Sequence, residues 1–430
     1  MLYNRVLATA LLMLIFFGLI PPAHVGRAAD QQFNPGIQAI LDQVDPDTLY
    51  DLSGGLSGEW PVMINGEAYP LLTRYALSGD PIQKATQYLY QYYQDLGLDV
   101  SLQNFEYGGE VLSNVIAEKR GTIFPDRIYL ITSHFDDVPG TPGVDDDGSG
   151  TVAVMVAASI LNQYEFGCTL RFANFNVEEL GLIGSDQYAR QAYCAGEDLR
   201  GVINLDMIAW NTAGSLPEFD LHAVSTVPGS MEIAESFQEV VQTYGLDLIP
   251  TLGNPFISAS DHASFLKLGF PAILASEDGA DFNPYYHSSG DNLDNLPDFE
   301  YFTEAVKASL GTFASIGCLV EEGWGTIEGV VTEKISNLAI ANAIISITNP
   351  NWDYTFTTHT DEEGYYQLSV LEDWHDITVD GIGYAAAAQT GIYSIRDQSL
   401  TINFELDKAN ETAIYLPLSG SSRLKPTGCP

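Results

Sequence analysis

Apolar runs that end in acidic or histidine residues, with helical stretches between them, predict an α/β fold. Its sheet is mostly parallel and central, with helices on both faces. Three observations carry this expectation. Strand-like and helical runs alternate from about residue 80 to 316, the pattern of repeated βαβ units. Residues 150–161 are small or apolar on nearly every side, as a helix buried against a sheet must be. After Gly323 the helical period vanishes and short alternating runs rich in Ile, Thr, Val and Tyr follow. These predict a small C-terminal antiparallel β-sandwich.

Residues 1–29 read as an export signal: Arg5, an apolar run over 6–20, the break Pro21-Pro22, and small residues at Ala28-Ala29 before Asp30. The run is short of the roughly 20 apolar residues that span a bilayer, so no stable membrane insertion is expected after cleavage. Residues 31–55 form a helical lead-in, with Ile37, Ile40, Leu41 and Val44 at helical spacing. Asp80-Pro81 opens an amphipathic helix with Ala85, Tyr88, Leu89 and Tyr92 on one face, ending near Gly97. Strands are expected at 100–107, 114–118, 127–133, 170–177, 201–207, 220–224 and 272–276, and helices at 150–161, 231–244 and 299–316. The α/β domain therefore covers 30–322, the sandwich 323–408, and a Gly-, Ser- and Pro-containing tail 409–430.

The 430 residues exceed one ordinary core. A hydrophobic content of 46% excludes a disordered chain. The net charge of -40, from 17 basic and 57 acidic residues, excludes nucleic acid as a partner and favours cations. Cys168, Cys194, Cys318 and Cys429 show no metal-type spacing. Export lets them oxidise, and their three possible pairings stay open at this level.

In a parallel sheet, ligands bind beyond the C-terminal ends of the strands. The polar residues that end the apolar runs are His134 with Asp136, the turn Asp145-Asp146-Asp147-Gly148, the pair Glu178-Glu179, Asp206, and His287 in a later loop. Histidine nitrogen and carboxylate oxygen suit zinc with an open position for water. Two metals about 3.5–4 Å apart need one shared carboxylate and further ligands on each. Two histidines and three carboxylates are enough. Asp136, two residues after His134, would accept the other ring N–H of that histidine. Of Glu178 and Glu179, one would ligate and the other take a proton from water, whose pKa a metal lowers towards about 7. His262 is assigned a structural role.

The segments Ser133-His134-x-Asp136, Pro142-Gly143-x-Asp145-Asp146-x-Gly148-Ser149-Gly150, Glu178-Glu179-x-Gly181-Leu182-x-Gly184-Ser185, Asn204-Leu205-Asp206-Met207, Ser260-Asp261-His262-x-x-Phe265 and Tyr286-His287-x-x-x-Asp291 together resemble the secreted bacterial di-zinc aminopeptidases of the leucyl aminopeptidase type. The resemblance runs over about residues 80–318. It implies a zinc-exopeptidase fold and an enzyme that removes N-terminal residues from peptide or protein substrates. It further implies that Asp145 bridges two zinc ions, with His134 and Asp206 completing one and Glu179 and His287 the other. Glu178 would be the general base and Asp136 the partner of His134. A cis peptide after the bridging aspartate would fall between Asp145 and Asp146. Some relatives carry a cysteine pair near the substrate pocket; Ile257-Ser258-Ala259 holds none, so that detail is not carried over.

Gly329-Val330-Val331, Ala341-x-Ala343-x-Ile345, Thr360-Asp361-x-x-Gly364-x-Tyr366 and Gly383-Tyr384 resemble the carboxypeptidase-regulatory-like module, which implies an accessory or adhesion-like role. Relatives on the same fold supply the competing expectations: single-zinc glutaminyl cyclases, carboxypeptidases, and non-catalytic binding proteins that have lost ligands. The intact ligand set and the Glu178-Glu179 segment favour a peptidase. The expected location is extracellular, free or associated with a cell surface.

Overall fold

Each of the first two helices starts on a proline behind a capping side chain. Asn34 accepts from the Ile37 amide at 3.0 Å to begin α1 (Pro35–Leu41), and Asp45 accepts from the Thr48 amide at 3.1 Å to begin α2 (Pro46–Leu56). The single lead-in expected over 31–55 is therefore two helices, because Asp45-Pro46 restarts the chain. The computed structural model describes residues 33–255, 257–320, 324–349, 354–396, 398–409 and 429. The expected export signal and nearly all of the tail lie outside them. The described residues all fall in one compact unit, Gln31–Pro430.

A short antiparallel hairpin, β1 (Val62–Ile64) and β2 (Glu67–Tyr69), leads to α3 (Asp80–Asp95). Then come β3 (Asp99–Tyr107), β4 (Glu110–Lys119), β5 (Phe124–His134), α4 (Gly148–Leu161), β6 (Cys168–Phe175), α5 (Ile183–Ala195) and β7 (Asp198–Leu205). The domain finishes with β8 (Glu218–His222), α6 (Ser230–Tyr244), β9 (Ile249–Leu252), α7 (His262–Leu266), β10 (Ala272–Glu277) and α8 (Phe299–Ile316). The eight strands β3–β10 make one sheet in the order β3-β4-β6-β5-β7-β10-β8-β9. Its centre, β6-β5-β7-β10, is parallel throughout, and the antiparallel joints lie outside it. The expected mostly parallel sheet is what forms.

Both faces of that centre are covered, so its strands are apolar on both sides. Ile131, Phe172, Ile203 and Ile273 point into a core shared with α1–α4, α6 and α8. Their neighbours Leu130, Ala173, Val202 and Ala272 point the other way, onto Tyr188 and Ala189 of α5 and Phe265 of α7.

The C-terminal part is a two-sheet sandwich. One sheet pairs β11 (Trp324–Glu333) with β14 (Tyr365–Leu371), β17 (Ser399–Thr401) and β18 (Phe404–Leu406). The other runs β13 (Tyr354–His359), β12 (Ile344–Asn349), β15 (Trp374–Asp380), β16 (Ala387–Tyr393). Its joints are antiparallel as expected, except that β17 and β18 lie parallel to β11. Alternate residues such as Ile327, Val331, Ile345, Ile347, Ile377 and Val379 fill its separate core. Phe356 of this module stacks on Phe124, at the start of β5, with ring centroids 6.1 Å apart. That is the opposite end of an 11-residue strand from His134, roughly 30 Å away.

The cysteines pair as Cys168–Cys318 and Cys194–Cys429. The first ties the start of β6 to the end of α8, and the second ties the end of α5 to the C-terminus.

Candidate metal centre

Parallel strands place their C-terminal ends along one edge, and four of them deliver side chains there. β5 ends at His134, β6 stops three residues before Glu178, β7 stops one before Asp206, and the loop after β10 carries His287. Register holds these ends level: His134 pairs with Phe175, and Leu205 with Ala275.

Two groups converge. The ligand-type atoms of His134, Asp146 and Asp206 lie within 4.8 Å of one another, and so do those of Asp146, Glu179 and His287. His134 Nε2 is 3.4 Å from Asp146 Oδ1 and 3.5 Å from Asp206 Oδ1. His287 Nε2 is 3.1 Å from Asp146 Oδ2 and 3.0 Å from Glu179 Oε2. One carboxylate thus faces both histidines, an oxygen to each.

That carboxylate is Asp146 and not the expected Asp145. Asp145 faces away and is saturated: Oδ1 accepts from the Ala209 amide at 3.0 Å, and Oδ2 from Asn283 Nδ2 at 2.9 Å. Glu277 also hydrogen-bonds to it. Neighbouring side chains of this turn take different directions, so a shift of one residue exchanges a shared ligand for a scaffold carboxylate. The cis peptide shifts likewise, to Asp146–Asp147.

Asp136 also departs from expectation. The His134 ring contacts its main-chain oxygen, with Nδ1 at 3.1 Å, while the carboxylate stands 3.7 Å off. That carboxylate instead accepts from the amides of Glu178 at 3.0 Å and Glu179 at 3.4 Å. Asp136 therefore orients both ends of the site through backbone groups.

The surrounding residues fix the turn. Asp147 accepts from the amides of His134, Gly150 and Met207, joining β5, α4 and β7. Asp291 takes the amides of Asp145 and Asp146 on its two oxygens, at 3.0 and 3.1 Å. Ser260 donates to Asp206 Oδ2 at 2.5 Å and accepts from Asn204. Val177, Met207 and His287 all have positive φ, 64°, 55° and 55°. A left-handed valine is strained, and the three sit beside or on site residues, where such strain concentrates.

Electrostatics matches a cluster built for cations. Burial pushes the Glu178 carboxyl up to about 10 and Glu179 up to about 8, with nearby carboxylates adding to the rise. Burial also acts to raise Asp146, but the two histidines outweigh it and bring it to about 2. Burial opposes the charge on His134, yet Glu178 and Asp206 hold its pKa well above the ordinary value. Asp146 raises that of His287 by hydrogen bonding. A bound dication reverses this logic by supplying the missing positive charge.

The residues present fit such an ion. Glu179 Oε1 is buried with no hydrogen-bond partner, an arrangement that costs free energy until something positive meets it. Imidazole and carboxylate donors in this mixture suit zinc. Glu178 belongs to neither group; its Oε2 lies 4.0 Å from His134 Nε2, facing the cluster.

A sheet edge with two adjoining nitrogen–oxygen groups and one carboxylate left over is an arrangement suited to divalent cations. Residues 114–307 match Peptidase family M28, and residues 326–407 match the carboxypeptidase regulatory-like domain. Most of the α/β part thus resembles Peptidase family M28, and the sandwich resembles the carboxypeptidase regulatory-like domain. The chain is 30% identical over 225 residues to the "probable leucine aminopeptidase 2" of Aspergillus oryzae, covering 47% of this chain and 45% of that protein. It is 31% identical over 206 residues to leucine aminopeptidase 2 of Arthroderma otae, covering 43% and 40%. The chain thus spans less than half the length of these relatives. Its fold is similar to that of a zinc aminopeptidase from Bacillus subtilis, with a TM-score of 0.54 at 16% identity over 63% of this chain and 95% of that one. It is also similar to Legionella pneumophila LapA aminopeptidase, with a TM-score of 0.56 at 20% identity over 67% and 76%. A glutaminyl cyclase from Bacteroides thetaiotaomicron shares the fold too, with a TM-score of 0.52 at 18% identity over 63% and 98%.

Proposed function

We propose that the protein is an exported, zinc-dependent aminopeptidase that hydrolyses the first peptide bond of peptides with a free N-terminus. The observation that carries this is the pair of ligand groups sharing Asp146, with Glu178 beside them. His134, Asp146 and Asp206 would hold one ion, and Asp146, Glu179 and His287 the other. When bound, zinc supplies Lewis acidity at the scissile carbonyl and makes water a better acid. Glu178 accepts a proton from the attacking water and returns it to the leaving amine, for which a carboxylate within reach of both is needed. Asp136 keeps Glu178 and Glu179 aimed through their amides. The names of the curated relatives support the exopeptidase reading over an endopeptidase. Two ligand groups, where a cyclase needs one ion, support hydrolysis over cyclisation. The apolar run over 6–20 and two disulfides support export.

The test incubates the zinc-loaded protein with free and N-acetylated peptides and reads the products by mass. Stepwise shortening from the free N-terminus alone is expected. Cleavage of acetylated peptides would overturn the aminopeptidase reading. Loss of ammonia from an N-terminal Gln without hydrolysis would establish the cyclase instead.

A further inference from the structure

Arg74 is completely buried, and its guanidinium faces main-chain carbonyls. Nε donates to Phe135 O at 2.8 Å, Nη1 to Leu56 O at 2.7 Å and Pro142 O at 2.9 Å, and Nη2 to Gly143 O at 2.7 Å. These carbonyls belong to three separate segments: the end of α2, the residue after His134, and the turn that leads into Asp146. The backbone of Arg74 is tied in as well. Its amide donates to Asp137 Oδ2 at 2.9 Å, and its carbonyl accepts from the Asp137 amide at 3.4 Å. Thr73 Oγ1 donates to the other Asp137 oxygen at 3.3 Å.

The turn over 142–146 is consequently gripped from two sides, by a donor and by an acceptor. Arg74 takes the carbonyls of Pro142 and Gly143, and Asp291 takes the amides of Asp145 and Asp146. Gly143 shows how close the fit is. Its φ is +59°, and a Cβ there would lie 2.7 Å from Arg74 Nη2 and 2.6 Å from Asp146 O. The rigid planar fork of arginine can serve several carbonyls at once, which the point charge of a lysine cannot.

We infer that Arg74 is a positioning residue for the metal centre, holding the turn so that Asp146 stands between His134 and His287. The inference rests on the proposed zinc site and adds to it a residue outside the 114–307 match. It makes the segment over 56–79 part of the site's construction. Groups that orient metal ligands from behind typically set affinity by about 10–100-fold.

The experiment measures zinc bound per full-length chain across a series of zinc–chelator buffers, for the wild type, Arg74→Lys and Arg74→Met. Circular dichroism and the thermal midpoint report folding alongside. Arg74→Met is expected to weaken zinc binding by about 10–100-fold at a temperature where it stays folded, with Arg74→Lys between it and the wild type. If Arg74→Met does not fold, Arg74→Lys decides, because it keeps the charge and loses the planar fork; weakened zinc binding there supports the role. A folded Arg74→Met with the wild-type zinc isotherm, or a folded Arg74→Lys with that isotherm where Arg74→Met does not fold, overturns it, even if the thermal midpoint is lower. No zinc on the wild-type chain would instead remove the proposed metal site itself.

Discussion

The two ligand groups use the same donors, one histidine and two carboxylates, yet they are built differently. His134 and Asp206 sit at or one residue past strand ends, with side chains 2% and 13% exposed. Glu179 and His287 sit on loops, and His287 is 34% exposed with a left-handed backbone. The inner group inherits the rigidity of the sheet. The outer group depends, through His287, on a loop of some ten residues after β10, and that histidine faces the solvent while Glu179 is only 6% exposed. Sharing Asp146 would couple ions held in the two groups, with the His287 side expected to be the more exchangeable.

The largest break in that comparison removes what the groups share. Asp146→Asn should strip both positions, with bound zinc falling towards zero and peptide hydrolysis towards the limit of detection. Asp145→Asn, one residue away, should keep its zinc, because Asp145 spends its oxygens on Ala209 and Asn283. Zinc content by elemental analysis separates the two variants. Equal loss in both would return the bridging role to Asp145.

Glu178→Gln comes next. It should lower kcat by about 10²–10⁴ and leave zinc content unchanged, since Glu178 is in neither ligand group. Undiminished kcat in the zinc-loaded variant would end the general-base assignment.

His134, Glu179, Asp206 and His287 were legible because each follows an apolar run or stands in a loop after one, and strand ends of a parallel sheet gather at one edge. Asp146 was not. Asp145, Asp146 and Asp147 are identical residues in one turn, yet their roles differ. Asp145 is a scaffold to Ala209 and Asn283, Asp146 faces both histidines, and Asp147 clamps Gly150 and Met207. Residue type carries no direction within a turn. Asp291 lay within a recognised segment, but its grip on two amides depends on a loop closing across 145–146 positions. Arg74 left no local signal, since its carbonyl partners at the site lie 61–69 positions away. The helix expected over 299–316 coincides with α8 (Phe299–Ile316), but the 13-residue α5 (Ile183–Ala195) was not expected. The short α7 and β9, with five and four residues, offered too little periodicity to read.

A smaller effect sharpens the inner–outer contrast. A chelator titration should remove one zinc before the other, and the first to leave should belong to the exposed His287 position. His287→Ala should then bind one zinc and keep the wild-type circular dichroism. His134→Ala, cut at a buried strand end, should also lower the thermal midpoint. Simultaneous loss of both ions from the wild type would mean that Asp146 couples the positions too tightly for burial to distinguish them.

The smallest expected effect is a pH dependence of the metal-free chain that zinc offsets. In the metal-free chain both histidines have pKa values raised above the ordinary 6.5, His134 against its burial by Glu178 and Asp206, and His287 by Asp146. A raised histidine contributes stability that is complete below about 6.5 and fades as pH climbs through the raised value. Glu178 and Glu179, pushed up to about 10 and 8 chiefly by burial, act in the same direction. The folded chain keeps protons there that the unfolded chain releases above about 4.5. The metal-free thermal midpoint should therefore fall between pH 6.5 and 8. Zinc needs neutral imidazole and ionised carboxylate, so its binding displaces these protons and tightens over the same interval. The gap between the zinc-loaded and metal-free midpoints should widen with pH, and should widen less in His287→Ala, which retains only the inner histidine. A gap that stays constant from pH 6 to 8 would show that these protons are not what zinc replaces.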